Sequence, residues 1–371
     1  ESFNLLLLIL LFTNYFHISL SPLKNKFYYQ VYFMVSISGL SFAFPKNKVF
    51  QEEIKAIGRR LFSSKINFEK IAKVYDNSGV KTRFLVEELS WYIKEHNWSE
   101  RNFLFKKNAL CLLKQSISET IEKTKTQPEK VGGIVFVNST GIATPTIDAE
   151  IFNLFNFNNE TIRLPIFGYG CAGGVLGLNR AVEIFKNIKK PILVCNVELC
   201  SLTFRPQIFS KENIVSTALF GDGSTSYLVG DDGNCEVING MEYTWKNSLS
   251  LMGWGVENDG LSVIFDKTIP EFITKELPIV LSNFKMNNLD GYVLHSGGMK
   301  IIEAYKKIFK NHETIQESQR ILSNFGNVSS VSVLLVLKEM LKKRYAGNFL
   351  MSALGPGFTA GLCNLKFSHN D

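Results

Sequence analysis

The 371-residue chain has little of what most cofactor- or metal-dependent proteins show. It has six cysteines and five histidines. The cysteines are Cys111, Cys171, Cys195, Cys200, Cys235 and Cys363. None forms a C-x-x-C pair, which excludes the common zinc and dithiol motifs. Their spacing is not that of a small secreted disulfide framework, so a reducing cytoplasm is the simplest setting. No run of Lys and Arg is interleaved with aromatics, so no nucleic-acid-binding arm is present. Charged residues make up 20% and hydrophobic residues 45%, the balance of an ordinary globular protein. The formal charge of +7 is spread along the chain. It either draws in an anionic ligand or reflects only a bias toward Lys, Asn and Ile.

The N-terminus stands apart. Phe3 to Leu23 is almost uncharged and contains Leu5-Leu6-Leu7-Leu8-Ile9-Leu10-Leu11-Phe12. Such a run suits a signal peptide or anchor. The chain does not begin with Met, and no basic segment precedes the run. Residues 1–33 therefore read as an over-extended reading frame rather than an anchor, and membrane contact is expected only if they are real. Met34 begins a stretch, Val35-Ser36-Ile37-Ser38-Gly39-Leu40, that reads as the first strand of a soluble domain.

From Met34 onward, short apolar runs alternate with helical patterns. Strands are expected at Gly133–Asn138, Pro191–Val197, Ser226–Val229, Gly291–Leu294 and Asn348–Ser352. Helices are expected at Gln51–Phe62, Phe84–Glu95, Asn108–Lys123, Gly174–Lys186, Ile301–Phe309 and Val328–Lys343. The strands are too apolar for exposed edges and suit sheets covered by helices, an α/β protein with a layered core. The turn-rich Leu228-Val229-Gly230-Asp231-Asp232-Gly233-Asn234 divides the chain into 34–232 and 233–371.

Each part holds a polar loop that opens an apolar helix. The first is Gly168-Tyr169-Gly170-Cys171-Ala172-Gly173-Gly174. A Cys at a helix start meets free N–H groups and the positive end of the dipole, which lowers a thiol pKa toward roughly 3.5–7.5. A buried structural Cys in a tight helix–sheet contact fits the same motif equally well. A thiolate nucleophile needs a partner. His17 lies in the N-terminal segment, His369 in the tail, and His96 and His312 in polar surroundings. Only His295 ends an apolar strand, in Leu294-His295-Ser296-Gly297-Gly298, where ligand sites form in α/β sheets. Asn327, in Gly326-Asn327-Val328-Ser329-Ser330, is either a helix cap or an oxyanion donor. A cap alone does not explain the glycine before it.

Taken together, Gly170-Cys171-Ala172-Gly173-Gly174, His295-Ser296-Gly297-Gly298 and Gly326-Asn327-Val328-Ser329-Ser330 resemble the Cys-His-Asn signatures of type III polyketide synthases, the chalcone synthase-like family. Leu219-Phe220-Gly221-Asp222-Gly223 and Gly355-Pro356-Gly357-Phe358 do so as well. The resemblance runs from about residue 34 to the C-terminus. Ser139-Thr140-Gly141-Ile142-Ala143-Thr144-Pro145 and Val197–Phe204 look like its bacterial branch.

The resemblance implies a thiolase fold, with two similar βαβαβ-type halves in a five-layer αβαβα arrangement, and a homodimer. Residues 34–232 would carry the nucleophile, and 233–371 the His and Asn. Cys171 would take an acyl starter from coenzyme A. His295 would pair with its thiolate, and His295 with Asn327 would hold the malonyl thioester oxygen during loss of carbon dioxide. Coenzyme A thioesters are the substrates; no metal, nicotinamide or flavin is required. Lys70 and Lys73, with Lys300, would meet the coenzyme A phosphates, although Asn77 stands where the family often has a third cation. A solvated helix face would give the same i,i+3 lysines. The pocket would be lined by Ser139, Thr140, Thr144, Cys200, Leu202, Thr203, Ser216, Phe220, Val263 and Pro356.

Plant members guard the cavity mouth with two phenylalanines. Phe220 matches one, and Val263 stands for the other. Thr144, before a proline expected in cis, replaces a bulky residue that reaches across the dimer, and Cys200 replaces a threonine. A long aliphatic starter with alkylpyrone- or alkylresorcinol-like products follows. Ser216, where the family often has glycine, opposes that reading.

A ketoacyl synthase III-like enzyme shares Cys-His-Asn but typically shows His-Gln-Ala-Asn at the histidine. A biosynthetic thiolase has a second cysteine in its late glycine loop, which here is Gly355-Pro356-Gly357. A papain-like hydrolase does not fit the contexts of His295 and Asn327. A catalytically inactive acyl-CoA-binding protein on the same fold would not need all three polar residues. The starter, the number of extensions and the cyclisation mode are not encoded in any motif.

Overall fold

The computed structural model describes residues 16–23, 26–63, 68–286, 288–310 and 312–368. Residues 1–15 of the apolar N-terminal segment, and 24–25, lie outside that set. Within the remainder of that segment, β1 (Phe16–Leu23) and β2 (Lys26–Phe33) pair antiparallel as a sheet of their own. Among the described residues no helix is long and apolar enough to cross a membrane.

β3 (Ser36–Ala43) opens the main sheet, and β4 (Asn47–Phe50) pairs with β5 (Thr82–Leu85) in a short antiparallel ribbon. The sheet continues through β6 (Gly133–Asn138), β7 (Ile162–Phe167), β8 (Ile192–Leu199), β9 (Asp222–Gly230) and β10 (Cys235–Thr244). β11 (Met252–Glu257) and β12 (Gly260–Phe265) form a separate hairpin. β13 (Gly291–Leu294), β14 (Gly347–Gly355) and β15 (Thr359–Phe367) complete nine strands in the order β13-β14-β15-β10-β3-β9-β8-β6-β7. β6 is parallel to both β7 and β8, and β13 is parallel to β14; the remaining pairs are antiparallel. Every residue of β6 and β8 is buried, as their unbroken apolar runs require of strands covered on both faces. β7 lies at the edge, where Pro165 costs no internal ladder bond.

Helices α1 (Gln51–Phe62) and α2 (Phe68–Asp76) lie beside the ribbon. The long α3 (Trp98–Thr124) covers β3, β8 and β9 from outside, and α4 (Ile147–Leu154) extends that layer. α5 (Gly173–Ile188) packs on β6 and β8 on one side and on β14 and β15 on the other, in the middle layer. α6 (Lys211–Leu219) packs against α1 and α2. α7 (Ile269–Asn283), α8 (Met299–Ile308) and α9 (Ile315–Phe325) form the outer layer over β13 and β14. α10 (Ser332–Lys342) joins α5 in the middle. The two halves of the one large sheet thus lie on either side of α5, with further helices outside each half, the layered α/β arrangement expected.

Most expected elements are present within a few residues. The helix expected at Phe84–Glu95 is not. Residues 82–85 pair with β4, and Phe84 stacks on Phe44 and Phe325 with ring centroids 4.9 and 6.1 Å away. The Val86 N–H is taken by the Asp222 carboxylate at 2.8 Å, and turns follow. Cross-strand and ring contacts outweigh a helical spacing of apolar residues here. α3 starts ten residues earlier than expected, because Asn97 and Glu100 form a reciprocal capping box. The Thr144–Pro145 peptide is cis, as expected.

One buried acid ties the layers together. Glu198, at the end of β8, is 0% exposed. One carboxylate oxygen accepts from the Ser139 N–H at 3.0 Å and the Thr140 hydroxyl at 3.1 Å. The other accepts from the Ser330 and Ser329 hydroxyls at 2.8 and 3.2 Å. The loop after β6 and the loop before α10 are thus held on one group. Burial pushes the Glu198 carboxyl up to about 7, although all four hydrogen bonds pull the other way. Burial likewise raises Asp222 to about 6.

A carboxyl that holds its proton more tightly when folded stabilises the fold most below its unfolded value, and that contribution is lost as pH rises through the folded value. The melting temperature is therefore expected to fall between about pH 5 and about pH 8. In Glu198→Gln, whose amide oxygen can keep the Ser139 and Thr140 donors, the slope should flatten, with the Asp222 share remaining. An unchanged slope in the variant would contradict the assignment.

Candidate active site

The polypeptide enters the first loop from β7 and turns sharply at Gly170, whose φ is +48°. A Cβ there would meet the Pro356 ring at 2.8 Å, so the glycine permits the late loop to close over the first. The Gly170 N–H donates to the Ser139 hydroxyl at 2.8 Å. Gly170–Ala172 forms one tight turn that runs directly into α5, leaving Cys171 at the helix start as the glycine motif suggested.

His295 follows β13, and its backbone N–H donates to Ser352 O on β14 at 3.0 Å. Its ring is 3% exposed, and neither ring nitrogen has a hydrogen-bond partner among the described residues. Asn327 reaches the same place from the end of α9. Gly326 has φ +70°, and a Cβ on it would stand 2.6 Å from Leu219 O. This close pass lets the Asn327 N–H donate to Leu219 O at 2.8 Å while Asn327 O accepts from the Gly221 N–H at 3.0 Å. The glycine before Asn327 is thus explained by strand-like pairing with the Phe220 segment, not by a helix cap. Asn327 Oδ1 accepts from the Ser329 N–H at 2.9 Å, and Nδ2 donates to Gly297 O at 3.2 Å. Cys171 Sγ lies 3.9 Å from Asn327 Oδ1.

Cys171, His295 and Asn327, far apart in sequence, line one chamber with Met252, Phe265 and Tyr305. Burial, reinforced by the charge of Glu198, pushes the Cys171 thiol up to about 12, while hydrogen bonds from Ser329 and Asn327 work against the rise. Burial also lowers the His295 imidazole to about 3. In this closed, apolar setting burial holds the thiol and the imidazole each neutral.

On its other side Cys171 faces a chamber lined by Cys200, Phe220, Trp254, Val263 and Pro356. Cys200 and Phe220 also border a second, narrow cavity lined by Ser216 and Phe204 and by Ile54, Ile57 and Leu61 of α1. Of the remaining pocket candidates, Ser139 and Thr140 are buried behind Cys171 on Glu198. The Thr203 hydroxyl donates to Cys200 O at 2.8 Å, and Leu202 packs in the core beneath α3. Thr144 is exposed on the surface of this chain. Lys73 is exposed on α2 and Lys300 in the first turn of α8; the side chain of Lys70 lies outside the described residues.

Comparison with known proteins agrees with this arrangement. The family model for the N-terminal domain of chalcone and stilbene synthases matches residues 34–233, and that for their C-terminal domain matches residues 250–364. A putative chalcone synthase of Bacillus subtilis is 32% identical over 356 residues, covering 89% of this chain and 98% of the relative. A 1,3,6,8-tetrahydroxynaphthalene synthase of Streptomyces peucetius is 27% identical over 315 residues, covering 80% of this chain and 83% of the relative. The crystal structure of 1,3,6,8-tetrahydroxynaphthalene synthase from Streptomyces coelicolor superposes with a TM-score of 0.83 at 21% identity, over 90% of this chain and 100% of that one, which establishes the thiolase-like fold. The chain belongs to the chalcone and stilbene synthase family of type III polyketide synthases, acyltransferases that join coenzyme A thioesters by decarboxylating Claisen condensation without a further cofactor.

Proposed function

We propose that this type III polyketide synthase loads a long aliphatic acyl starter onto Cys171, extends it with malonyl-CoA and releases alkylpyrone- or alkylresorcinol-like products. The observation that carries the reading is the cavity toward α1 that shares Cys200 and Phe220 as walls with the Cys171 chamber. Its wall is mostly apolar: Ile54, Ile57, Leu61, Phe62, Leu85, Leu89 and Phe204. Val263 leaves the chamber wider than a phenylalanine would. Ser216 borders this cavity rather than closing it.

In this reading Cys171 passes its proton to His295 as Sγ attacks the starter thioester. The sulfur–acyl bond forms, the bond to coenzyme A breaks, and the departing thiolate takes up the proton. Ionising both groups together offsets the cost of burying either charge alone. Malonyl-CoA then places its thioester oxygen between the His295 ring and the second N–H of Asn327 Nδ2. Carbon dioxide departs, the enolate oxygen is held by those donors, and the enolate carbon attacks the Cys171 thioester; the new carbon–carbon bond forms as the Sγ–acyl bond breaks and the thiolate is released for the next round. Residues 34–232 and 233–371 act as two halves that bring the nucleophile and the donors together. The coenzyme A phosphates meet Lys70, Lys73 and Lys300. Two copies assemble through the face that exposes Thr144, Ile142, Leu154, Ile162 and Phe167, an apolar edge beside β7. The enzyme works in the cytoplasm, where coenzyme A thioesters are made.

Three outcomes test the reading. Mass spectrometry after incubation with acyl-CoA should find the adduct on Cys171. Cys171→Ala should abolish condensation, while Cys195→Ser and Cys200→Ser retain activity; an adduct on another cysteine would refute it. In a starter series from acetyl- to palmitoyl-CoA, kcat/KM should climb with length, since each buried methylene contributes roughly 0.8 kcal/mol. Val263→Phe should move the optimum toward shorter chains. A steady fall beyond about six carbons, against that per-methylene gain, or a preference for malonyl-CoA alone or for aromatic starters, would exclude the long-chain assignment. Reversing Lys70 and Lys73 to Glu should raise KM modestly for coenzyme A substrates, less so in high salt, and leave N-acetylcysteamine thioesters unaffected. Equal losses on both would show a folding defect instead.

A further inference from the structure

Apart from Cys171, His295 and Asn327 themselves, the chamber on the His295 side of Cys171 has a wall that is apolar with one exception. Met252, Phe265, Ile269, Ile273, Ile301, Leu354 and Phe358 supply carbon and sulfur. Tyr305, on α8 two turns beyond the glycines that follow His295, is the exception. It is 0% exposed, and its hydroxyl has no hydrogen-bond partner among the described residues. The ring is anchored on the outer side, 6.3 Å from Phe309 between centroids. A buried hydroxyl without a partner is costly relative to a satisfied one. Phenylalanine would fill the same volume without that cost. Burial, and then the nearby charge of a Cys171 thiolate, hold the phenol above its ordinary value. It therefore remains protonated, a donor, at any working pH.

Placement sets what it can donate to. Tyr305 borders the chamber shared by Cys171, His295 and Asn327, yet its oxygen lies beyond hydrogen-bond reach of all three. Reacting atoms bound between those groups are the acceptors that would come within range. We infer that the Tyr305 hydroxyl is a third hydrogen-bond donor to the extender unit, aimed at the malonyl thioester oxygen that becomes the enolate oxygen as carbon dioxide leaves. No bond to Tyr305 forms or breaks; it donates a hydrogen bond that strengthens as negative charge builds on the oxygen. Loading of the starter, which develops its charge at Cys171, does not use it.

The inference rests on the roles proposed above for Cys171, His295 and Asn327, and the experiment separates the two. Tyr305→Phe removes only the oxygen; Tyr305→Met serves as a second variant should Phe disturb packing. Decarboxylation of malonyl-CoA in the absence of starter is measured beside formation of the acyl adduct on Cys171 by mass spectrometry. The expected result is a fall of about 100- to 1,000-fold in kcat for decarboxylation, the scale of losing one oxyanion donor. Adduct formation should be at the parent rate and the melting temperature equal or higher. Decarboxylation at the parent rate in both variants would overturn the inference and leave Tyr305 as a core residue. An equal loss of adduct formation would overturn it too, by moving Tyr305 to the thiolate. Absence of a Cys171 adduct in the parent protein would instead refute the underlying roles.

Discussion

The site depends on a carboxylate buried where water cannot reach it. Glu198 gathers two backbone or side-chain donors from the loop after β6 and two serine hydroxyls from the loop before α10. The first loop supplies the Ser139 hydroxyl that receives the Gly170 N–H, and the second carries Asn327 two residues before Ser329. Removing such an acceptor would strand several buried donors at once, each at a cost of about 1–3 kcal/mol. That is why a lone acid survives at the end of a strand whose every residue is buried.

The same burial sets the chemistry available. A thiol and an imidazole in an apolar chamber are each held neutral, and a charge becomes affordable only when a proton moves between them or a substrate brings its own polar atoms. The chamber is built for such visitors: an amide oriented by Ser329 and Gly297, and, among the described residues, two ring nitrogens on His295 and a phenol on Tyr305 without partners. On the opposite side the surroundings change from polar to aliphatic within a few residues of Cys200. The proposed division of labour follows, with carbonyl oxygens handled toward α8 and a hydrocarbon tail toward α1.

Much of this was legible in the residues. Glycines flank Cys171, His295 and Asn327 in the sequence, and a Cβ on Gly170 or Gly326 would stand 2.8 Å from the Pro356 ring or 2.6 Å from Leu219 O. Fully apolar runs such as Gly133–Asn138 marked doubly covered strands. What could not be read was decided at long range. Phe84–Glu95 has helical spacing but is held by rings and by Asp222, remote in the chain. The thiol pKa follows from how deeply the chamber is closed, which no local motif reports. Nothing local to Glu198, one acid within an apolar run, tells that two distant loops converge on it. Tyr305 looked like any aromatic on the inner face of a helix, because nothing in Lys300–Ile308 tells that its oxygen lacks a partner.

The central claim concerns where the acyl chain goes. A crystal structure of the protein carrying a palmitoyl thioester on Cys171 tests it most directly. The account predicts an alkyl chain threaded past Cys200 and Ser216, beside Phe204, toward Ile54 and Leu61. A chain lying instead in the chamber between His295 and Tyr305, or leaving through the mouth into solvent, would contradict it.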